Sequence, residues 1–238
     1  MTSINAHGPF PQPRAARRQH SASAPAAQNL SLALVGQASP ERSAVEIGIM
    51  QKFERTYGAH LTHFLPDLLR LSVSDNLGAV VGIRAADGNS LFLEQYLDQP
   101  VEQAVASAFM TPVDRNQIVE IGNLAANLPG LACSLFAILA EVLSQAGYRW
   151  VACTATPQVE SMLAKMNFPA RTICSADPSR LEADSADWGD YYASQPRVIA
   201  GDVQLAAAQV ASNREVAALI RHYRRPIPQM AASLRRTS

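Results

Sequence analysis

Two polar residues, Glu120 and Asn123, interrupt an otherwise apolar run from Ile118 to Ala126. A carboxylate in apolar surroundings suits proton abstraction, because burial disfavours its charged form and lifts its pKa toward neutrality. The same side chain serves equally well as an acceptor for backbone N–H groups. Asn123 offers a donor and an acceptor to a bound substrate. Just beyond, Asn127-Leu128-Pro129-Gly130-Leu131-Ala132 forms a Pro-Gly turn at the head of a helix. Unpaired amides at a helix start attract anions, and a glycine admits a phosphate close to the backbone. Pro129 removes one of those donors, and such a turn is also common as plain punctuation. Cys153 beside Thr154 offers a thiol nucleophile, yet no histidine lies near it in sequence, and a buried inert thiol accounts for it as well. His60 and His63 are spaced to share a metal, but without a third ligand in view they read as surface or cap residues, and no metal site is assigned.

The elements that must position these groups follow from periodicity. Ile118, Val119 and Ile121 favour a strand, and apolar residues on both of its faces place it inside a covered sheet. Leu131, Leu135, Ile138, Leu139, Val142 and Leu143 repeat at helical spacing, and Gly147 closes that helix. Trp150 to Thr156 is a second buried strand, stopped by Pro157. Strand, helix and strand make one βαβ unit with a parallel pair.

Around this unit the chain reads as strand Leu30–Val35, then a helix opened by Ser39-Pro40-Glu41 and ended at Gly58, with Ile49, Met50, Phe53 and Tyr57 as its apolar face. A short strand near Leu71 to Val73, the turn Asp75-Asn76-Leu77-Gly78 and the strand Ala79 to Arg84 form an antiparallel hairpin. One or two helices cover 91–97 and 101–109. After the central unit come a helix through Val159, Met162, Leu163 and Met166, a strand from Pro169 to Cys174, a polar aromatic turn at 187–192 and a last strand from Arg197 to Val203. The sum is an α+β fold in α/β/α layers, a mixed and mostly antiparallel sheet with a central parallel pair and flanking helices.

With 238 residues, 48% hydrophobic and 17% charged, the chain supports one domain with a sizeable core. Residues 1–28 are poor in large apolar groups and are expected to be disordered, with a small positive cluster of Arg14, Arg17 and Arg18. Residues 29–212 form the domain. Residues 213–238 form a basic helix and tail, with Pro226 to Ser238 expected to fray. Twenty basic residues balance twenty acidic ones, which disfavours a general nucleic-acid surface. Cys133, Cys153 and Cys174 lack metal or disulfide spacing and read as reduced core residues. No apolar run is long enough to span a membrane, and the start lacks the apolar core of a signal peptide, so a cytoplasmic protein is expected.

Asn127 to Ala132 resembles the pyrophosphate loop of the GNAT acyltransferases, Gln/Arg-x-x-Gly-x-Gly/Ala, and the order of elements is similar to theirs. The words Phe53-Glu54-Arg55-Thr56-Tyr57-Gly58-Ala59, Leu91-Phe92-Leu93-Glu94-Gln95-Tyr96-Leu97-Asp98, Ile118 to Ala125 and Trp188-Gly189-Asp190-Tyr191-Tyr192 together resemble the thermostable hemolysin family over about residues 46–203. Val80-Val81-Gly82-Ile83-Arg84 and the Glu120 strand are similar to two strands of the acyl-homoserine-lactone synthases, with Asn123 standing where those carry arginine.

These resemblances imply an acyltransferase that moves an acyl group, fatty in nature, from acyl-CoA or acyl carrier protein to a small-molecule amine, with no tightly bound cofactor. Glu120 is the implied base, and Tyr191 or Tyr192 protonates the leaving thiolate. Arg84, Asn123 and the backbone at Leu124 bind substrate, while Asn127, Gly130, Leu131 and Ala132 hold the phosphate-bearing arm. A carrier-protein donor calls for a basic docking surface, for which Arg115, Arg149 and the C-terminal arginines are candidates. The family name raises a second reading, a membrane-active cytolysin working through Leu61 to Leu71 or the cationic C-terminal helix. A third is a GNAT-like domain that binds an acyl ligand without catalysis.

Overall fold

The computed structural model describes residues 30–74, 76–181 and 185–236. The expected N-terminal tail with its arginine cluster, and Asp75 of the hairpin turn, lie outside the described residues.

In chain order the elements are β1 (Leu30–Val35), α1 (Arg42–Tyr57), β2 (Asp67–Val73), β3 (Asn76–Ala85), α2 (Val101–Phe109), β4 (Ile118–Ala126), α3 (Leu131–Gln145), β5 (Trp150–Ala155), α4 (Pro157–Lys165), β6 (Ala170–Ser175), β7 (Arg197–Asp202), α5 (Val203–Ser212), α6 (Arg214–His222) and α7 (Pro226–Arg236). The strands form one sheet in the order β1-β2-β3-β4-β5-β7-β6. Every neighbouring pair is antiparallel except β4 with β5. The central βαβ unit and its parallel pair are therefore as the periodicity indicated.

Because strand side chains alternate, each strand feeds two layers. Val119 and Ile121 of β4 pack with Leu135, Ile138 and Leu139 of α3 on one face. Ile118 points the other way, into a cluster with Leu93, Tyr96 and Val101. Beside that cluster, Val80 and Leu68 meet Ile49 and Phe53 of α1. Glu120 shares the face of Ile118, so it lies under the 91–101 segment rather than under α3.

Four expectations are corrected. Met50 is exposed, and the buried face of α1 is Arg42, Val45, Ile49 and Phe53. Cys133 is exposed on the first turn of α3 rather than in the core. The last strand stops at Asp202, and Val203 opens a helix, α5, instead of ending the strand, because the Asp202 carboxylate accepts the amides of Gln204 and Leu205 and so caps a helix start. The C-terminal segment does not fray: Ile227, Met230, Ala231 and Leu234 of α7 are buried in the main core with α3 and β2. Proline is tolerated in the first turn of a helix, where amides lack intrahelical partners, so Pro226 and Pro228 do not prevent α7.

We therefore expect Ile227→Ala and Leu234→Ala each to cost about 2–5 kcal/mol of stability. Leu205→Ala, at a side chain 54% exposed, should stay within about 0.5 kcal/mol of the parent. Urea unfolding separates the two classes, and a fraying C-terminus would make all three equally mild.

Candidate active site

The parallel pairing of β4 with β5 runs only from Ile118↔Trp150 to Ile121↔Cys153. Beyond it β4 stays with β3 as far as Ala126↔Ala79, and β5 stays with β7 as far as Ala155↔Arg197. The two central strands thus part company, and a cavity of about 840 Å³ opens between them, lined by Gly122, Asn123 and Leu124 on one side and Cys153, Thr154 and Thr156 on the other.

A bulge marks the place where β4 turns away. Gly82 pairs with Gly122 and Val80 with Ala125, so Asn123 and Leu124 together oppose Val81. Asn123 takes φ +50, a left-handed backbone that asparagine adopts more readily than most residues. Its Oδ1 accepts the Leu65 amide at 2.9 Å and its Nδ2 donates to the His63 carbonyl at 3.3 Å. Gly82 makes room for this contact, since a Cβ there would stand 2.9 Å from Leu65 Cβ and 3.0 Å from Asn123 Oδ1. Asn123 lines the cavity, but its amide is engaged in tying the 63–65 loop to the bulge.

Glu120 is 4% exposed. Its Oε1 accepts the Leu93 amide at 2.8 Å and its Oε2 the Phe92 amide at 3.0 Å. Arg84 stands opposite it in register on β3, with Nη1 4.0 Å from Oε2. Burial pushes the carboxyl above the usual carboxylate range, while the two amides and Arg84 pull in the opposite direction. Both roles read from the sequence therefore coincide in one group, a base candidate with a raised pKa and an acceptor for backbone amides. The tight turn that supplies those amides, Phe92–Tyr96, is itself anchored. Arg115 binds Glu94 and Glu102 at 2.7 and 2.8 Å and the carbonyls of Ala86 and Asn89. Burial opposes ionisation of Glu94, but Arg115 and the amides of Leu91 and Val101 bring it down to about 2.

Tyr191 and Tyr192 lie on the same face. Tyr191 is buried among Phe53, Tyr57 and Trp188, and its hydroxyl donates to the Thr154 carbonyl at 3.4 Å. The Tyr192 hydroxyl is bonded to that of Tyr96. Burial raises all three tyrosines above the ordinary value, so each keeps its proton at neutral pH. Tyr96, Phe92, Trp188 and Thr154 were not singled out as site residues from the sequence. Only the fold brings them to the wedge, and nothing in their spacing signals it.

The turn at Gly130 sits at the same end of the sheet. Gly130 has φ +82 and caps α3, and the first bond into the helix runs from the Ser134 amide to the Gly130 carbonyl. Of the amides before it, that of Leu131 donates to the Leu128 carbonyl at 3.4 Å, and that of Ala132 lies at the open end of the macrodipole. Asn127 is turned aside, its side chain donating to the Leu77 carbonyl at 2.9 Å. Cys153 is a weak nucleophile here, since burial, with Glu120 and Glu160 adding to it, pushes its thiol up to about 12. Arg115 and Arg149 do not form a docking surface at the wedge. They precede β4 and β5 at the opposite end of those strands, and Arg149 pairs with Asp202 at 2.7 Å.

Asn123→Ala should remove the acceptor for the Leu65 amide and force alanine into the left-handed region, costing about 1–3 kcal/mol. Hydrogen exchange at the Leu65 amide should accelerate more than exchange in β1, and equal protection in both forms would show that the clamp is not what holds the loop.

The model of the thermostable hemolysin family matches residues 35–207, in agreement with the resemblance read from the sequence words. No curated protein matches the chain. Among solved structures it is similar to FeeM, an N-acyl amino acid synthase from uncultured soil microbes, with TM-score 0.51 and 14% identity over 76% of this chain and 95% of that one. It is also similar to the acyl-homoserine-lactone synthase LasI, with TM-score 0.49 and 12% identity over 76% and 95%. A further match is MesI, a CoA-dependent acyl-homoserine lactone synthase, with TM-score 0.48 and 14% identity over 76% and 94%. The fold is the GNAT-like mixed sheet expected from the order of elements.

Proposed function

We propose that this chain, which belongs to the thermostable hemolysin family, is an acyltransferase that moves an acyl group from a thioester donor to the amine of a small molecule. The observation that carries the reading is the parting of β4 and β5 beside a buried, pKa-raised carboxylate. An extended thioester fits between strands whose edges face one another without pairing, and Glu120 reaches the same space from the floor.

The chemistry is short because a thioester is already activated. Glu120 takes a proton from the acceptor ammonium or from the attacking nitrogen, and the amine forms its bond to the thioester carbon. The oxyanion that develops is met by backbone N–H groups of the bulge around Leu124. Collapse breaks the C–S bond, Tyr192 protonates the departing sulfur and regains a proton through its hydroxyl pair with Tyr96, and the proton taken up by Glu120 restores that pair, so that base and acid are both reset. Tyr191 serves mainly to hold the aromatic wall. Arg84 beside Glu120 offers its charge to the acceptor, and Asn123 acts through the loop it clamps. The Ala132 amide, joined by that of Leu131 when it exchanges its long bond to the Leu128 carbonyl for the ligand, receives the phosphates of coenzyme A or the phosphopantetheine of a carrier protein, with Gly130 giving close approach. For a carrier-protein donor the exposed arginines of α6 and its C-terminal flank, Arg214, Arg221, Arg224 and Arg225, are the remaining docking candidates.

Glu120→Gln should lower turnover at least tenfold, about 1.4 kcal/mol of barrier. Glutamine offers one oxygen to two amides, so the variant should also lose about 1–3 kcal/mol of stability and be assayed well below its melting point. In the parent, activity should fall as pH drops through a pKa above the ordinary carboxylate range, because the base must be ionised, and the variant should lack that limb. Unchanged turnover and an unchanged pH profile would remove Glu120 from the mechanism.

Thermal-shift titration with coenzyme A, a long-chain acyl-CoA and the matching acyl carrier protein tests the donor. A ligand that binds only the folded protein raises its stability with occupancy. A donor-dependent rise that is lost in Gly130→Glu supports the reading and identifies the donor class. No shift with any donor, together with leakage of lipid vesicles by the same preparation, would replace it with the membrane-active reading.

A further inference from the structure

A second cavity of about 50 Å³ lies on the α3 face of the sheet, among α3, α5 and the 168–170 turn. Ile121, Phe136 and Cys153 line both this cavity and the large one, so these three side chains are the wall between the two. On the other side of that wall the lining is apolar, with Leu139, Ala140 and Ala206 among it. Asp202 also borders it, but that carboxylate is bonded to two amides and to Arg149.

The large cavity changes character as it crosses the sheet. Glu120, Arg84 and the tyrosine hydroxyls lie on the α1 side, whereas Ile121, Phe136 and Cys153 lie on the α3 side. We propose that the donor's acyl chain passes through the sheet at this wedge and ends against Phe136, so that this ring sets the longest chain accepted by closing the second cavity. The proposal rests on the acyltransferase reading and adds the donor's specificity to it. It also sorts the two substrates: the polar acceptor stays on the Glu120 face, and the chain goes to the α3 face. Ile121 and Cys153 sit on strands whose positions the sheet fixes, whereas Phe136 is a helix side chain whose truncation joins the cavities without moving a strand.

The test is calorimetric titration of the full chain with saturated acyl groups of even length, from butyryl to palmitoyl, carried on coenzyme A and on acyl carrier protein. Each buried methylene is worth roughly 0.8 kcal/mol, or about fourfold in affinity. Affinity should climb by about that factor per carbon and then level off at a limiting length. In Phe136→Ala the plateau should move to longer chains by a pair of carbons or more. Adding Ala140→Leu, which refills the second cavity, should bring the plateau back. Phe136→Leu, milder in its effect on the fold, should give an intermediate shift if the alanine variant is too unstable to titrate. A plateau at the same length in the parent, Phe136→Ala and Phe136→Leu overturns the assignment of Phe136 while leaving the acyltransferase reading in place. Failure of every chain length on both carriers to bind the parent overturns the two together.

Discussion

The structure turns on where one ladder of hydrogen bonds stops. β4 and β5 are held together as a parallel pair for four residues each, and past Ile121 and Cys153 each strand follows its other neighbour. A sheet interior ordinarily leaves no backbone group unpaired. The bulge at Asn123 and Leu124 is the device that bends β4 away, because an extra residue in one strand kinks it and sharpens its twist. Asn123 then fixes the kink by bonding the 63–65 loop through both ends of its amide. One residue thus serves the backbone conformation, the loop and the mouth of the cavity.

Placing a carboxylate in that opening is costly, and the surroundings show how the cost is offset. Desolvation favours the neutral form of Glu120, while two amides and a cross-strand guanidinium favour the ion. The balance leaves the Glu120 carboxyl above the ordinary carboxylate range, whereas Glu94, bound to Arg115, is held well below it. The two acids divide the labour. Glu94, ionised and bound to Arg115, fixes the turn at Phe92–Tyr96, and that turn presents its first amides to Glu120. Removing the first pair would therefore loosen the second.

Much of this was legible in the sequence because it rests on local rules. Apolar residues on both faces of 118–126 announced a covered strand, the Pro-Gly turn announced α3, and Glu120 stood out because its neighbours were apolar. The rest depends on partners far away along the chain. Nothing at Asn123 signals that its amide will be taken by a loop 58 residues earlier, and nothing at β7 says that it will lie between β5 and β6. The Tyr96–Tyr192 contact joins residues 96 positions apart. Two signals were present but outweighed. Asp202 marks a helix start beside a residue that reads equally well as the end of a strand. Ile227, Met230, Ala231 and Leu234 keep helical spacing, but their place in the terminal segment suggested fraying.

The family name points to lysis, and the distribution of apolar surface bears on how a fatty chain would be handled. Among the described residues no helix is long and apolar enough to cross a membrane. The amphipathic C-terminal helices do not present their apolar sides outward: Leu219 and Ile220 of α6 and Ile227 and Leu234 of α7 turn into the main core against α3. A helix must expose such a face to bind a bilayer, so using α6 or α7 this way would mean uncovering the core that α3 completes. The wedge between β4 and β5 offers an acyl chain an apolar interior without that disruption. The proposed passage of an acyl chain into the wedge therefore leaves the packing of α6 and α7 against α3 untouched.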